Sequence, residues 1–179
     1  MANAPGGKPK LLFVFPPQWT PQNPHFALTA LVGHLRGKGY EVVAKDLNIL
    51  FYTEVLTQES LEWAKERAVI EHNYLADKLR IQSIVDDTGL DFQMDGQKAT
   101  FISDYVEQNQ QGFDKIPGLV EEATRVLRDP ERFYDPLEFT RAMEIIEQAL
   151  EIYSLPFWPA RLQFNYFDHQ LVPLNLDDI

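Results

Sequence analysis

The sequence predicts an α/β protein that opens with a Rossmann-like strand–helix–strand unit of a parallel sheet and continues as a mainly helical insertion. Lys10–Phe15 is a continuous apolar, β-favouring run, which is typical of a strand covered on both faces. From His25 to about Arg36, apolar residues recur at three- and four-residue steps, which predicts an amphipathic helix. Glu41–Lys45 is a second strand. Since a helix joins the two strands, we expect a right-handed parallel crossover.

The ends of the first helix are marked by residues with known capping preferences. Asn23 is a candidate N-cap and Pro24 suits the first helical position. Gly37 and Gly39 are expected to end the helix, and Gly33 suggests close packing within it. A dinucleotide-binding G-x-G-x-x-G motif must lie between strand and helix, so these glycines do not support NAD binding.

Helical patterns fill most of the remaining chain. A long helix is expected from about Leu61 to Val85, with caps offered by Thr57–Ser60. Shorter helices are expected from Pro117 to Leu127 and from a start at Asp135-Pro136 to just before Pro156. Lys98–Ile102 fits either a short strand or the start of a helix. The long helix is predicted to bury one stripe, consisting of Leu61, Ala64, Ala68, Leu75 and Leu79 and broadened by Ile70, Tyr74, Ile81 and Ile84.

These patterns give four segments: a flexible leader at residues 1–8, the βαβ unit at 9–48, a helical insertion at 49–156 and an irregular aromatic and proline-rich tail at 157–179. Two strands cannot cover the faces of their own parallel sheet. We therefore expect further strands, either from sequence beyond Ile179 or from a partner chain. An incomplete sheet also predicts self-association through its exposed edge.

Composition excludes several classes of site. The chain has 179 residues and no cysteine, so it contains no disulfide, thiolate metal site or cysteine nucleophile. Its formal charge of −11 argues against binding to nucleic acid. The sequence has no apolar run long enough to cross a membrane and no apolar secretory signal, which predicts a cytoplasmic chain.

The connection from Pro16 to Pro24 is the first candidate binding site. It is longer than most strand–helix loops, and it follows the carboxyl end of a parallel strand, where open α/β sheets bind ligands. It also leads to a helix N-terminus, whose free N–H groups attract polar ligand groups. Trp19 suits stacking on a ring, whereas uncharged neighbours suit amides or hydroxyls. The candidate binding residues are Pro17, Gln18, Trp19, Thr20, Asn23 and His25.

Asp46 and Asn48 extend this candidate site because they follow the second strand. An acid at that position holds a ribose hydroxyl in dinucleotide domains, but both residues suit equally well the cap of a helix starting near Ile49. The four histidines have no metal-ligand spacing, and no nucleophile elbow or P-loop is present. The sequence therefore predicts neither a catalytic residue nor a metal site.

The N-terminal motifs resemble those of cobalamin (B12)-binding radical SAM enzymes. The shared features are an apolar strand ending in a double proline, a proline-rich turn, a leucine-rich helix, a G-Y-x-V sequence, a second strand and D-L-N. In this chain they are Leu11–Pro17, Pro24, Leu28–Leu35, Gly39–Val42 and Asp46–Asn48, followed by a matching Phe51-Tyr52 pair. Leu150–Pro159 is similar to the helical insertion that such proteins carry before their third strand.

The resemblance implies the leading part of a cobalamin-binding domain in a larger enzyme with methyltransferase-like or related radical chemistry. S-adenosylmethionine and a [4Fe-4S] cluster would belong to the rest of that enzyme, since this chain has no cluster-binding cysteines. The chain would then be non-catalytic alone and bind cobalamin weakly or not at all. Phe26-Ala27 departs from the family's proline-x-glycine, which puts a close backbone approach at Ala27 in doubt.

Two other classes fit part of the sequence. GT-B type glycosyltransferases also begin with a strand, a loop, a leucine-rich helix and a G-(H/Y)-x-V sequence, but the double proline and Asp46–Asn48 fit them less well. The third class is a non-catalytic helical adaptor with a βαβ cap, in which a partner chain completes the sheet. The sequence downstream of Ile179 distinguishes these classes.

Overall fold

The structure is a computed structural model that describes residues 9–16, 26–84, 89–163 and 167–169, the last three for their backbone only. The chain divides into two compact units, Met1–Thr53 and Glu54–Ile179, which we call the βαβ unit and the helical unit. This division lies five residues after the predicted boundary at residue 48. The predicted leader, residues 1–8, lies outside the described residues.

The elements follow the predicted order of a strand, a helix, a strand and then helices. Their bounds are β1 Lys10–Phe15, α1 Phe26–Gly37, β2 Glu41–Asp46, α2 Leu47–Val55, α3 Gln58–Ile84, α4 Leu90–Gln108, α5 Gln110–Lys115, α6 Val120–Arg128, α7 Pro136–Ser154, β3 Ala160–Leu162 and β4 Phe167–His169. Short 3-10 turns at Ile116–Gly118, Arg132–Tyr134 and Leu155–Phe157 connect several of the helices.

The βαβ unit contains the predicted parallel strand pair. β1 and β2 pair in register from Lys10 opposite Glu41 to Phe15 opposite Asp46. α1 connects the two strands and packs against β2. The guanidinium of Arg36, near the end of α1, donates a hydrogen bond of 2.9 Å to the carbonyl oxygen of Val42. The parallel crossover expected from the sequence is therefore confirmed.

One face of this sheet is exposed. Leu12, Val14 and Val43 lie on the same face, because Leu12 pairs with Val43 and Val14 follows two residues later. All three are exposed, with Leu12 at 61%. This exposure agrees with the expectation that two strands cannot cover the faces of their own sheet, since in the described chain only β2 pairs with β1.

Gly39 ends the connection from α1 as predicted. Its φ of 79° lies in the left-handed region, where a side chain is disfavoured. The amide of Gly39 donates to Arg36 O at 2.9 Å and that of Tyr40 to Leu35 O at 3.1 Å, which is the Schellman pattern. Gly33 is different, because a Cβ placed there would meet no atom within 4 Å. The prediction of close packing at Gly33 is therefore wrong.

The helical unit has a continuous apolar core. α3 packs against α4 and α7, and α6 packs against α7. The largest fully buried side chains of the unit come from several of these elements, and they include Leu61, Ile102, Val120, Ile146, Leu150, Ile152 and Leu155. Lys98–Ile102, for which the sequence left strand or helix open, is part of α4.

Two side chains fix helix starts as the sequence suggested. The Thr57 hydroxyl accepts a hydrogen bond of 3.2 Å from the amide of Ser60 at the start of α3. Asp135 accepts from the amides of Leu137 and Glu138, at 2.9 and 3.0 Å, at the start of α7. Both arrangements are N-caps, in which a side-chain oxygen bonds an amide that has no partner within the helix.

The apolar residues of α3 divide between two opposite faces. Leu61, Ala64, Ala68 and Leu75 are buried, as predicted. The residues expected to broaden that stripe are instead exposed: Ile70 by 50%, Tyr74 by 60%, Ile81 by 58% and Ile84 by 77%. At 100° per residue these four project opposite the buried side, so a single helical stripe cannot hold both sets. This part of the prediction is wrong.

The tail, predicted to be irregular, begins with regular structure. β3 pairs antiparallel with β4, with Ala160 opposite His169. The buried Ser154 hydroxyl donates a hydrogen bond of 2.7 Å to Leu150 O and accepts one of 2.8 Å from the amide of Leu162. Ser154 thus joins the end of α7 to β3. The strands are only three residues long, which is too short for an alternating pattern to stand out in the sequence.

Candidate functional site

The carboxyl ends of β1 and β2 lie side by side. The register places Phe15, the last residue of β1, opposite Asp46, the last residue of β2. Pro16 follows the first and α2 starts directly after the second. Two chain segments that the sequence selected independently therefore leave the sheet at the same edge. Open parallel sheets bind ligands at this edge because the loops that follow the strands converge there.

Asp46 has a structural role at this edge. Its Oδ1 accepts a hydrogen bond of 3.0 Å from the amide of Ile49, so it caps α2. The sequence left ribose binding and capping equally open, and the geometry shows the cap. Capping uses one carboxylate oxygen and leaves Oδ2 for other contacts.

Asn48 is less accessible to a ligand than the sequence suggested. It is the second residue of α2 and only 3% of its surface is exposed. A molecule approaching the sheet edge from solvent would meet little of this side chain. Of the two candidates after β2, Asp46 is therefore the better placed to contact a ligand.

The other candidate residues belong to the connection between β1 and α1. Pro17, Gln18, Trp19, Thr20, Asn23 and His25 all lie outside the described residues. The described chain resumes at Phe26, the first residue of α1. Of the candidate residues, the structure thus locates Asp46 and Asn48.

A pocket in the helical unit contains residue types that sequence reasoning did not select. It lies between α3 and α4 and has a volume of about 360 Å³. Val69, Ile102 and Val106 supply its apolar surface, and its polar side chains are His72, Ser103, Glu107 and Gln110. Ser, His and Glu occur together in nucleophilic sites, but such sites need hydrogen bonds between them. Within the described part of the chain no hydrogen bond joins these side chains.

A second groove, between α6 and α7, has a charged rim. Its volume is about 410 Å³, and Arg132 lies between Glu122 and Glu138 at distances of 2.8 and 2.5 Å. The hydrogen bond from Arg132, with the charge of Arg125, lowers the pKa of the Glu122 carboxyl. Backbone amides of Arg132 and Glu131 likewise lower the pKa of Asp129. Since two carboxylates already neutralise Arg132, this cluster is better suited to joining α6 and α7 than to binding an anion.

Tyr105 forms a third polar cluster at the contact between α4 and α7. Burial raises the pKa of its phenol well above the usual value, and the neighbouring Glu151 carboxylate raises it further. Arg161 of β3 lies 3.5 Å from Glu151 and stacks over Phe101, with 5.7 Å between its guanidinium carbon and the ring centroid. A phenol with a raised pKa remains protonated and donates its hydrogen bond to the Glu151 carboxylate.

Two further kinds of site, metal centres and membrane-spanning helices, depend on geometry that can be read from the described residues. Within residues 9–16, 26–84 and 89–163, no three His, Asp or Glu side chains lie together as possible metal ligands. No helix in that same part of the chain has the length and apolar character needed to cross a membrane. Comparison with protein-family models, with curated proteins and with solved structures gives no match to this chain.

Proposed function

We propose that the βαβ unit forms one wall of a cobalamin-binding site in a larger B12-dependent radical enzyme, and that the chain alone is not catalytic. The observation that carries the proposal is the parallel register that brings Pro16 and Asp46 to one edge of the sheet. The same two positions are the double-proline and Asp-Leu-Asn elements of the family resemblance.

The open sheet supports a site shared with further chain. Leu12, Val14 and Val43 expose an apolar face that additional elements would cover, and β1 has an unpaired edge in the described chain. A parallel strand added beside β1 would end next to Pro16. A binding wall made of two strands is too small to enclose a cofactor, so this arrangement fits one part of a site.

The residues at the edge suit part of the proposed ligand. A corrin carries many amide groups, for which Gln18, Thr20 and Asn23 are suitable hydrogen-bonding partners, and Trp19 is suited to stacking. Asp46 retains one carboxylate oxygen after capping α2. The buried Asn48 fits a contact with ligand poorly. We therefore retain Asp46 and the loop residues in the proposed site and give Asn48 a structural role.

The most decisive experiment examines the gene downstream of the codon for Ile179. The proposal expects further strands followed by three cysteines with C-x-x-x-C-x-x-C spacing, which would hold the [4Fe-4S] cluster that uses S-adenosylmethionine. A downstream nucleotide-sugar domain would instead support a glycosyltransferase. A stop codon directly after Ile179 would contradict the proposal and support a helical adaptor.

Binding measurements test the ligand itself. Hydroxocobalamin is added to the isolated chain and to the longer gene product, and visible absorption is followed. We expect a stoichiometric spectral shift only with the longer protein, because this chain supplies one wall. No shift with the longer protein would rule out cobalamin. There, Trp19→Ala should weaken binding while Tyr134→Ala, at an 80% exposed position of the helical unit, should not. If wild type and Trp19→Ala bind hydroxocobalamin with equal affinity, Trp19 is not part of the site.

A further inference from the structure

The exposed face of α3 carries a regular pattern that the core does not explain. Its residues alternate steps of four and three, and they are Trp63, Arg67, Ile70, Tyr74, Asp77, Ile81 and Ile84, which we call the α3 stripe. Every member is exposed. The stripe extends over about 32 Å at 1.5 Å per residue. A seven-residue repeat of this kind is the pattern with which helices pair along their length.

Two charged residues interrupt the apolar members at symmetric positions. Arg67 and Asp77 lie five residues before and five after His72. If a second copy of α3 lies antiparallel to the first, with His72 facing His72, Arg67 lies opposite Asp77. In the same alignment Ile70 lies opposite Tyr74 and Trp63 opposite Ile81. Each charge then meets its opposite, and the apolar side chains of Trp63, Ile70, Tyr74 and Ile81 meet one another. Ile84, at the end of the stripe, faces Ser60. In a parallel arrangement without offset, Arg67 would face Arg67 and Asp77 would face Asp77.

We propose that the α3 stripe is a self-association surface, through which two copies of this chain pair with antiparallel α3 helices. Each dimer contains two Arg67–Asp77 contacts between copies. Polar pairs within a helical interface set orientation and register, because any other alignment leaves a charge against apolar residues or against a like charge. The partner is therefore a second copy, since the stripe complements itself.

Flanking residues agree with the same alignment. In antiparallel helix pairs, the residues directly before Arg67 and before every seventh position after it face one another across the contact. This places Glu66 near Arg80 of the second copy and Asn73 near its own equivalent. In the described part of the chain Glu66 has no ion pair, and Arg80 has only an exposed contact of 3.5 Å with Asp77. The flanking contacts thus add complementary charge without breaking a buried interaction.

Most of the stripe is free for this contact. α4 and α7 pack on the opposite side, where Leu61, Ala64, Ala68 and Leu75 are buried. At one end of the stripe the ring of Trp63 also contacts Tyr153 and Phe157, with 6.2 and 6.0 Å between ring centroids, and it remains 48% exposed. Lys98 also neutralises Glu71 at 2.9 Å, so this carboxylate beside the stripe does not repel its equivalent strongly. The proposed dimer is distinct from self-association through the sheet edge, because it uses none of the residues of β1.

Sedimentation velocity of the full chain at concentrations up to about 0.1 mM tests the proposal, since this range detects weak association. Wild type is compared with Arg67→Asp, Asp77→Arg and the double variant. Each single reversal creates two like-charge contacts per dimer and should raise the dissociation constant at least about 30-fold. The double variant restores opposite charges and should return to within about five-fold of wild type.

Two matched controls separate this contact from net charge. Arg141→Asp on α7 and Asp104→Arg on α4 make the same changes of charge at exposed positions away from the stripe. Both should dimerise like wild type, within about two-fold. Far-UV circular dichroism confirms that each variant is folded.

Three results would overturn the proposal. The first is a wild-type chain that stays monomeric throughout this range. The second is an Arg67→Asp variant that dimerises as well as wild type, which would move the interface elsewhere, for example to the sheet edge. The third is a double variant that remains as weak as the single variants, because the two charges would then not face each other.

Discussion

The two units of this protein differ in how fully they bury their own apolar residues. In the helical unit, side chains from four helices and two 3-10 turns are fully buried, including those of Leu61, Ile146 and Leu155. In the βαβ unit Val32 and Val42 are buried, while Leu12, Val14 and Val43 remain exposed on one sheet face. Helices of this length supply enough apolar surface to close a core among themselves. A parallel sheet of two strands does not.

The two units therefore expose different kinds of apolar surface. The helical unit closes its own core in the described chain, and the α3 stripe lies on the outside of that core. The βαβ unit is incomplete in its architecture, because its sheet lacks cover and neighbours in the described chain. A mutation should therefore be costly in the first unit where it removes buried volume, and in the second where it changes a backbone turn.

The largest expected effect compares leucines of the two units. Leu150→Ala removes a fully buried side chain and should lower the free energy of unfolding by about 2–5 kcal/mol. Leu12→Ala makes the same chemical change at an exposed position of β1 and should cost less than about 1 kcal/mol. Urea unfolding followed by circular dichroism measures both. Equal losses would show that Leu12 is buried in solution.

The second comparison concerns two glycines of the βαβ unit. Gly39→Ala forces a side chain into the left-handed region and should destabilise this unit by about 1–2 kcal/mol. Gly33→Ala, in the middle of α1 with free space around it, should stabilise by about 0.5–1 kcal/mol. Hydrogen exchange of β1 and β2 amides gives the local stability. A loss of protection in Gly33→Ala would restore the idea of close packing at that position.

Helix capping gives a smaller effect in both units. Asp135→Ala removes the acceptor for two amides at the start of α7 and should cost about 1 kcal/mol. Asp46→Ala, which frees one amide of α2, should cost less. Asparagine at either position keeps an acceptor and should retain most of the stability, as measured by thermal unfolding. An Asp135→Asn variant as unstable as Asp135→Ala would argue against the cap.

The smallest effect is a pH dependence confined to the helical unit. The pKa values of Glu122 and Asp129 are lowered from ordinary values of 4.5 and 3.8. Their contribution is therefore complete above those values and is lost as pH falls through the lower folded-state pKa values. Urea midpoints between about pH 3 and pH 7 should show this loss. Arg132→Gln should reduce the part due to Glu122, whereas an unchanged profile would exclude this ion pair as its source.

Much of this fold could be predicted because its signals are local. Gly39 and Asp135 mark helix ends through backbone geometry and capping, and the apolar run of β1 needs no distant partner to be recognised. The connection of two strands by one helix then fixes their parallel direction. These features depend on neighbours within a few residues along the chain.

The errors arose where a residue's neighbour is distant in sequence. In the sequence, the exposed apolar residues of α3 cannot be told from its buried ones, because composition does not reveal which side of the helix meets α4 and α7. Gly33 suggests close packing only if another element lies against it. For the candidate site, the Pro16–Asp46 edge followed from topology, whereas the role of Asp46 depended on one hydrogen bond to Ile49 that the sequence left open.

The Ser154 hydroxyl has a consequence for future comparisons of related sequences. It bonds Leu150 O and the Leu162 amide at once, at a position that is only 3% exposed and where alanine would leave a backbone amide without its acceptor. Selection for folding alone would keep serine at this position. An alignment would then show an invariant serine beside an aromatic segment. Such a serine is easily mistaken for a nucleophile, although here its hydroxyl joins the end of α7 to β3.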